Sequence, residues 1–66
     1  MLEQGEIVEH TLHGVCVVVK TDYYYGVFQG AILRPTTEEG QRSLQQASLN
    51  KTGQFYEPNP SLIQGA

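Results

Sequence analysis

Two runs of strand-forming residues meet at a glycine near the start of this chain. Before Gly14, apolar Ile7, Val8 and Leu12 are interspersed with polar residues, which is the pattern of a half-buried strand. After Gly14, residues 15–19 read VCVVV, and β-branched side chains favour a strand over a helix because their first torsion is stiff. Glycine adopts the torsions of tight turns at little cost, so the sequence predicts two strands joined at Gly14.

The following segment predicts a third, curved strand. Thr21 and Asp22 have turn chemistry, and residues 23–33 form a long aromatic and apolar run that contains Gly26 and Gly30. Glycine inside a strand commonly marks a bulge or a bend. Such curvature would let a small barrel close at its corner.

The composition becomes polar after this run. Thr36 stands three residues before Glu39, which is the spacing of a helix capping box and predicts a short helix over 37–49. Gly40 and the scarcity of apolar residues favour a loop equally well. Both alternatives stay open from the sequence.

The chain has room for one domain with a thin core, because a chain of 66 residues buries only about 60% of the surface that it exposes when unfolded. We predict a core at 5–33, a polar helix or loop at 36–52 and a C-terminal strand and arm at 53–66. Within that arm, 54–57 is predicted as a short strand, and the apolar pair at 62–63 is expected to return over the barrel. The predicted fold is all-β, a small barrel of four to five strands.

Small domains usually gain stability from a disulfide, a metal or a second subunit. Cys16 is the single cysteine, so an internal disulfide and a cysteine-pair zinc site are both excluded. A protein partner or self-association into a homo-oligomer is the remaining expectation. No apolar run approaches the length of about 20 residues that crosses a bilayer, and the N-terminus lacks the basic start of a signal peptide. We therefore predict a cytoplasmic protein that does not bind membranes.

The charge distribution argues against nucleic acid as the main ligand. The net charge is -3, and the four basic residues are spread along the chain, whereas nucleic-acid binding draws much of its affinity from clustered cations. Glu3, Glu6 and Glu9 crowd the N-terminus. A basic protein surface is a more natural partner for that end of the chain.

The N-terminal motif resembles that of a known group of barrels. Residues 5–18, GEIVEHTLHGVCVV, are similar to the G-D-x-V-x-H-x-x-x-G-x-G-x-V opening of Tudor-like, SH3-like barrels, with Glu6 in place of Asp and Cys16 in place of the second glycine. Such barrels occur in CarD-type transcription regulators, in the polymerase-interacting domain of transcription-repair coupling factors and at the C-terminus of UvrD-type helicases. The resemblance implies an SH3-like barrel that contacts RNA polymerase through a strand edge and has no catalytic activity.

The residues themselves predict no catalytic group, no metal site and no cofactor. His10 and His13 are three apart, and residues three apart on a strand point to opposite faces, so they are not expected to share a metal ion. We expect His10 to bond a carbonyl inside the barrel and His13 to lie at an exposed turn. Cys16, which is flanked by valines, is expected to be a small buried hydrophobe.

The third predicted strand carries apolar side chains on both faces, and a single sheet in a chain of this size buries only one of them. We predict that Tyr24, Phe28 and Ile32 face outward and, together with His13, contact a protein partner. Tyr25 and Val27 are expected to face inward. The alternative is that barrel curling and the C-terminal arm cover the second face.

Two classes of function remain open from the sequence. The first is a non-enzymatic regulator that docks on RNA polymerase or another large complex. The second is a small viral or phage structural subunit that assembles with copies of itself through the same surface. A third possibility is that single-stranded RNA stacks on the aromatic residues, but the sequence offers no basic groove for its phosphates.

Overall fold

The fold is an antiparallel sheet that curls around one apolar core. The computed structural model describes residues 2–48 and 53–64, and within them five strands pair in the order β4-β3-β2-β1-β5. The elements are β1 (Ile7–His10), β2 (Gly14–Tyr24), β3 (Val27–Pro35), the helix α1 (Glu38–Ser48), β4 (Phe55–Glu57), a short 3₁₀ helix (Pro60–Leu62) and β5 (Ile63–Gln64). The predicted all-β class and the predicted strand near 54–57 are confirmed, and of the two alternatives left open after Pro35 the structure has the helix.

A contact between distant strands demonstrates the curl of the sheet. β4 and β1 are three steps apart in the strand order, which corresponds to roughly 14 Å in a flat sheet. Nevertheless, His10 of β1 and Glu57 of β4 approach within 2.6 Å. The sheet is therefore bent into a barrel-like shape, and the short 3₁₀ helix leads from β4 across to β5 on the far side of β1.

The inner face of the sheet holds the core. The buried side chains come from β1, β2 and β3, from the N-terminal segment and from β5. They are Leu2, Val8, Cys16, Val18, Ala31, Leu33 and Ile63, and Phe28 and Phe55 pack against them. On β2 the inward positions are Cys16 and Val18, while Val15 is exposed. Both faces of this strand are thus apolar, as the VCVVV run predicts, and only one of them is covered.

The first hairpin forms as the sequence predicts, with one difference. Gly14 has a φ of 75° and begins β2 directly opposite His10. β1 ends at His10 and residues 11–13 form the turn, so Leu12 is not part of the strand and is largely exposed.

The second hairpin differs from its prediction. Thr21 and Asp22 lie inside β2, so the expected turn at these residues is wrong, and so is a single strand over 23–33. The chain reverses at Tyr25 and Gly26, whose φ angles of 50° and 77° make a two-residue type I′ turn between paired Tyr24 and Val27. This turn usually carries Asn or Gly at its first position, and a tyrosine there gives no sequence signal for it.

Two bulges interrupt the pairing of β2 with β3. Val18 pairs with Leu33 and Lys20 with Ile32, so Val19 is an extra residue on β2. Farther along, Asp22 pairs with Gly30 and Tyr23 with Phe28, so Gln29 is an extra residue on β3. The prediction of a bulge next to Gly30 is confirmed. Each bulge reverses the face of every side chain beyond it.

The polar segment after Pro35 forms α1 and not a loop. The Thr37 hydroxyl accepts the Gly40 backbone N–H at 3.0 Å, so the N-cap lies one residue after the predicted Thr36. Thr36 instead donates its hydroxyl to the Val15 carbonyl. Leu44 is buried and anchors the helix to the sheet side of the molecule. The predicted helix end at Leu49 and the segment up to residue 52 lie outside the described residues.

On the outer face, Tyr56 of β4 lies across Gly30 of β3. The Tyr56 hydroxyl donates to the Gln29 carbonyl at 2.9 Å. A Cβ atom at Gly30 would collide with the Tyr56 hydroxyl and ring. The absence of a side chain at Gly30 therefore lets Tyr56 pack flat against the bulge.

We expect Gly14→Val to lower the free energy of unfolding by roughly 2 kcal/mol, because a β-branched residue resists positive φ. No atom lies within 4 Å of a Cβ built at Gly14, so the cost is one of backbone conformation and not of crowding. Gly14→Asn, whose side chain tolerates the left-handed region, should lose less. Urea unfolding of the three proteins tests this, and equal stability of Gly14→Val and the parent would contradict it.

We also expect Gly30→Ala to destabilise the parent by about 1 kcal/mol, since Tyr56 must leave its place and lose its hydrogen bond. In a Tyr56→Ala background the same change should be neutral or stabilising, because alanine has the better intrinsic preference for a strand. A double-mutant cycle measured by urea unfolding gives the coupling between the two positions. Additive effects would show that Tyr56 and Gly30 do not interact.

Candidate functional site

One group of aromatic and acidic side chains fills the space between β1, β4 and the first hairpin turn. We call it the histidine cluster: His10, His13, Phe55 and Glu57. The rings of His10 and His13 stack with centroids 5.1 Å apart, and Phe55 packs against both rings at 4.9 and 4.7 Å. His10, His13 and Glu57 are all buried.

Hydrogen bonds determine the tautomer of His10. Its Nδ1 accepts the Leu12 backbone N–H at 3.1 Å, so the ring proton lies on Nε2 and is donated to Glu57 Oε1 at 2.6 Å. The second carboxylate oxygen of Glu57 accepts the Asn59 backbone N–H at 3.1 Å. Thus a histidine and a carboxylate side chain, each held by a backbone group, close the barrel.

The structure corrects both histidine predictions. His10 bonds the carboxylate of Glu57 and not a carbonyl, and His13 is buried and not at an exposed turn. The two histidines share one side because residues 11–13 are a turn, where the alternation of a strand does not apply. His13 therefore does not lie on the free surface where a partner was predicted to contact it.

The chemistry available to the histidine cluster is limited. Within the described residues, no three His, Cys, Asp or Glu side chains are arranged to hold a metal ion. The thiol of Cys16 is fully buried, and burial raises its pKa to about 11, so it stays protonated near neutral pH. His13 Nδ1 is buried without a hydrogen-bond partner among the described residues.

A second feature is the exposed aromatic surface at the far end of the long hairpin. We call it the tyrosine surface: Tyr24, Tyr25, Val27 and Tyr56. Each member is more than half exposed, and Tyr25 reaches 89%. The rings of Tyr24 and Tyr25 meet edge to face at 4.6 Å, and Tyr56 lies on the same outer face beyond the pair formed by Asp22 and Gly30.

The predicted surface residues divide between the two faces of the sheet. Tyr24 is exposed, and Ile32 is half-buried on the outer face opposite its strand partner Tyr56. Phe28, by contrast, is half-buried on the inner face, packed against the core and edge to face with Tyr23 at 5.6 Å. Its predicted outward position is wrong because the extra residue Gln29 reverses the alternation.

The inward positions predicted for Tyr25 and Val27 are wrong for a related reason. Val27 pairs with Tyr24 across the turn and shares its outer face, while Tyr25 lies in the turn itself and belongs to neither face. Tyr56, which the sequence predicts only as part of a short strand, joins the surface because β4 pairs with β3. Only the register of this pairing places Tyr56 beside the bulge.

No family model, curated protein or solved structure matches this chain. Among the described residues, neither α1 nor the short 3₁₀ helix is long and apolar enough to cross a membrane.

The histidine cluster predicts how stability depends on pH. Burial, followed by repulsion from His10, lowers the pKa of His13 from its usual 6.5, and attraction to Glu57 opposes this only partly. The folded protein therefore favours neutral His13. Its contribution to stability is complete above the unfolded pKa of 6.5 and is lost as the pH falls below that value.

We expect the melting temperature of the parent to decrease as the pH is lowered from about 8 to about 5. The melting temperature of His13→Phe, which keeps an aromatic ring beside Phe55 and His10, should decrease less over the same pH range. Because this variant also removes the unpaired Nδ1, it should be at least as stable as the parent at the higher pH. Parallel melting curves for the two proteins over the whole range would contradict this assignment.

Proposed function

We propose that this chain is a non-enzymatic protein-binding module that holds its partner through the tyrosine surface, with Tyr25 as the central anchor. The observation that carries this proposal is the combination of strain and exposure at Tyr25. It has a φ of 50°, which is unfavourable for a bulky residue, and its side chain is 89% exposed.

Contacts of the Tyr25 side chain with the rest of the described chain offset little of that strain. Among the described residues its one aromatic contact is the edge of Tyr24, which is itself largely exposed. Left-handed backbone at a residue other than glycine costs roughly 1–2 kcal/mol, and such strain concentrates at functional sites. A contact with another protein accounts for a tyrosine at a position where asparagine or glycine would be more stable.

The surroundings of Tyr25 fit a protein partner. Tyrosine supplies a large apolar area with a polar tip, and aromatic anchors dominate the binding energy of many interfaces. Lys20 and Asp22 flank the surface with one charge of each sign. This balance favours an apolar pocket in a protein over a phosphate backbone.

RNA polymerase is the partner that the N-terminal resemblance suggests, and another large complex of the cytoplasm would meet the same surface. In either case the module would act as a regulator by occupying a site, with no chemistry of its own. Self-association of a small structural subunit through the tyrosine surface is the competing outcome, and the mass in solution separates the two.

The test is Tyr25→Asn, which creates the favoured Asn-Gly type I′ turn. We expect this variant to be more stable than the parent by roughly 0.5 to 1 kcal/mol, since it relieves strain. We expect it to bind purified RNA polymerase at least about tenfold more weakly, because an aromatic anchor is lost. Thermal melting and a binding titration measure the two effects.

The matched control is Leu12→Asn, which removes a large exposed side chain from the turn of the other hairpin and should leave binding unchanged. Equal binding by Tyr25→Asn and the parent would overturn the role of the tyrosine surface. If the parent does not bind polymerase, a photo-crosslinking residue at position 25 shows which protein contacts the tyrosine surface. Crosslinks at position 25 but not at position 12 support docking by this surface, and a dimer linked to itself identifies self-association.

A further inference from the structure

A cleft lies at the opposite end of the long hairpin from the tyrosine surface. We call it the arginine cleft: Arg34, Thr36, Gln41, Arg42 and Gln45. It has a volume of about 550 Å³ and lies between the end of β3 and one face of α1, and Glu38 also lines it. Helix residues 38, 41, 42 and 45 share that face because they are three, four and seven positions apart.

The two arginines are available to a ligand. Among the described residues, neither Arg34 nor Arg42 has a carboxylate within 4 Å, so Glu38 does not neutralise them. Gln41 and Thr36, by contrast, are fixed by the fold, because the Gln41 amide donates to the Pro35 carbonyl and Thr36 donates to the Val15 carbonyl. The cleft therefore combines two hydrogen-bonded wall residues with two guanidinium groups that have no carboxylate partner among the described residues.

An apolar strip on the outer face of the sheet leads into this cleft. We call it the valine strip: Ile7, Val15 and Val17. Ile7 pairs with Val17, and Val17 pairs with Arg34, so one cross-strand row runs from β1 into the cleft. Ile7 is 59% exposed and Val15 is 39% exposed.

Charge differs between the two sides of the valine strip. Glu9 pairs with Val15 on the β1 side and, like Ile7 and Val15, lines a shallow groove of about 350 Å³. Arg34 and Arg42 lie on the other side. A chain with a net charge of -3 thus places two of its four cations together at the end of an apolar strip.

We propose that the valine strip and the arginine cleft together form a second docking surface, which takes an acidic segment of a partner protein that also carries apolar side chains. Its apolar side chains cover Ile7, Val15 and Val17, and its carboxylates bind Arg34 and Arg42. Guanidinium groups match carboxylates in shape and charge, since each presents two parallel N–H donors.

The arrangement favours a short acidic protein segment over a nucleic acid. A polyphosphate backbone gains its affinity from many cations along its path, whereas two arginines line this cleft together with Glu38, and Glu9 lies beside the valine strip. The apolar strip also has no role in binding a phosphate alone. An acidic and apolar segment uses both halves of the surface.

The test uses a synthetic peptide in which two glutamates precede two leucines, and a matched peptide with glutamine in place of glutamate. In NMR titrations of the full chain, the acidic peptide should shift the amide signals of Val15, Val17 and Arg34 and should bind about tenfold more tightly than the glutamine peptide. Arg34→Gln and Arg42→Gln, tested separately, should each weaken binding about tenfold, because each removes a charge-assisted hydrogen bond.

Lys20→Gln is the control, since it removes a cation from the outer face near the tyrosine surface and should bind the acidic peptide like the parent. Thermal melting verifies that each variant is folded. Equal binding of the two peptides, or equal loss in Lys20→Gln and the arginine variants, would overturn the proposal. So would shifts caused by inorganic phosphate or a single-stranded oligonucleotide where the acidic peptide causes none.

Discussion

The hydrogen bond between His10 and Glu57 is the interaction on which the closed shape depends. It joins β1 to β4, which pair with different neighbours in the sheet, and it is buried. Glu57 also holds the Asn59 backbone before the chain crosses to β5, where Ile63 pairs with His10. A hydrogen bond to a charged group is worth about 1.5–3 kcal/mol, against roughly 3–10 kcal/mol for a whole domain of this length. One side-chain pair therefore carries a large share of the stability.

The two bulges determine where apolar surface is buried and where it is exposed. Each inserts one residue into the long hairpin, so that Phe28 packs inward while Val27 and Ile32 face outward. Two features outside the bulges are unfavourable for stability: the positive φ of Tyr25, and the buried Nδ1 of His13, which has no hydrogen-bond partner among the described residues.

Much of the local structure could be predicted because it depends on neighbouring residues. The strand over 15–19 follows from β-branched side chains, and the positive φ of Gly14 follows from its place between two strands. After Pro35 the sequence favours a helix and a loop equally, because the helix propensity of this segment is weak. The structure has a helix there, and its Leu44 is buried.

The sequence by itself determined the all-β class, the first hairpin and an apolar surface larger than one sheet can bury, since these follow from composition and the alternation of side chains. Only the tertiary structure decided that Phe28 faces inward, that His13 is buried and that His10 bonds a carboxylate 47 residues away. The physical reason is register. A one-residue bulge reverses a whole face, and the closure of a curled sheet depends on pairings between distant segments that no local pattern encodes.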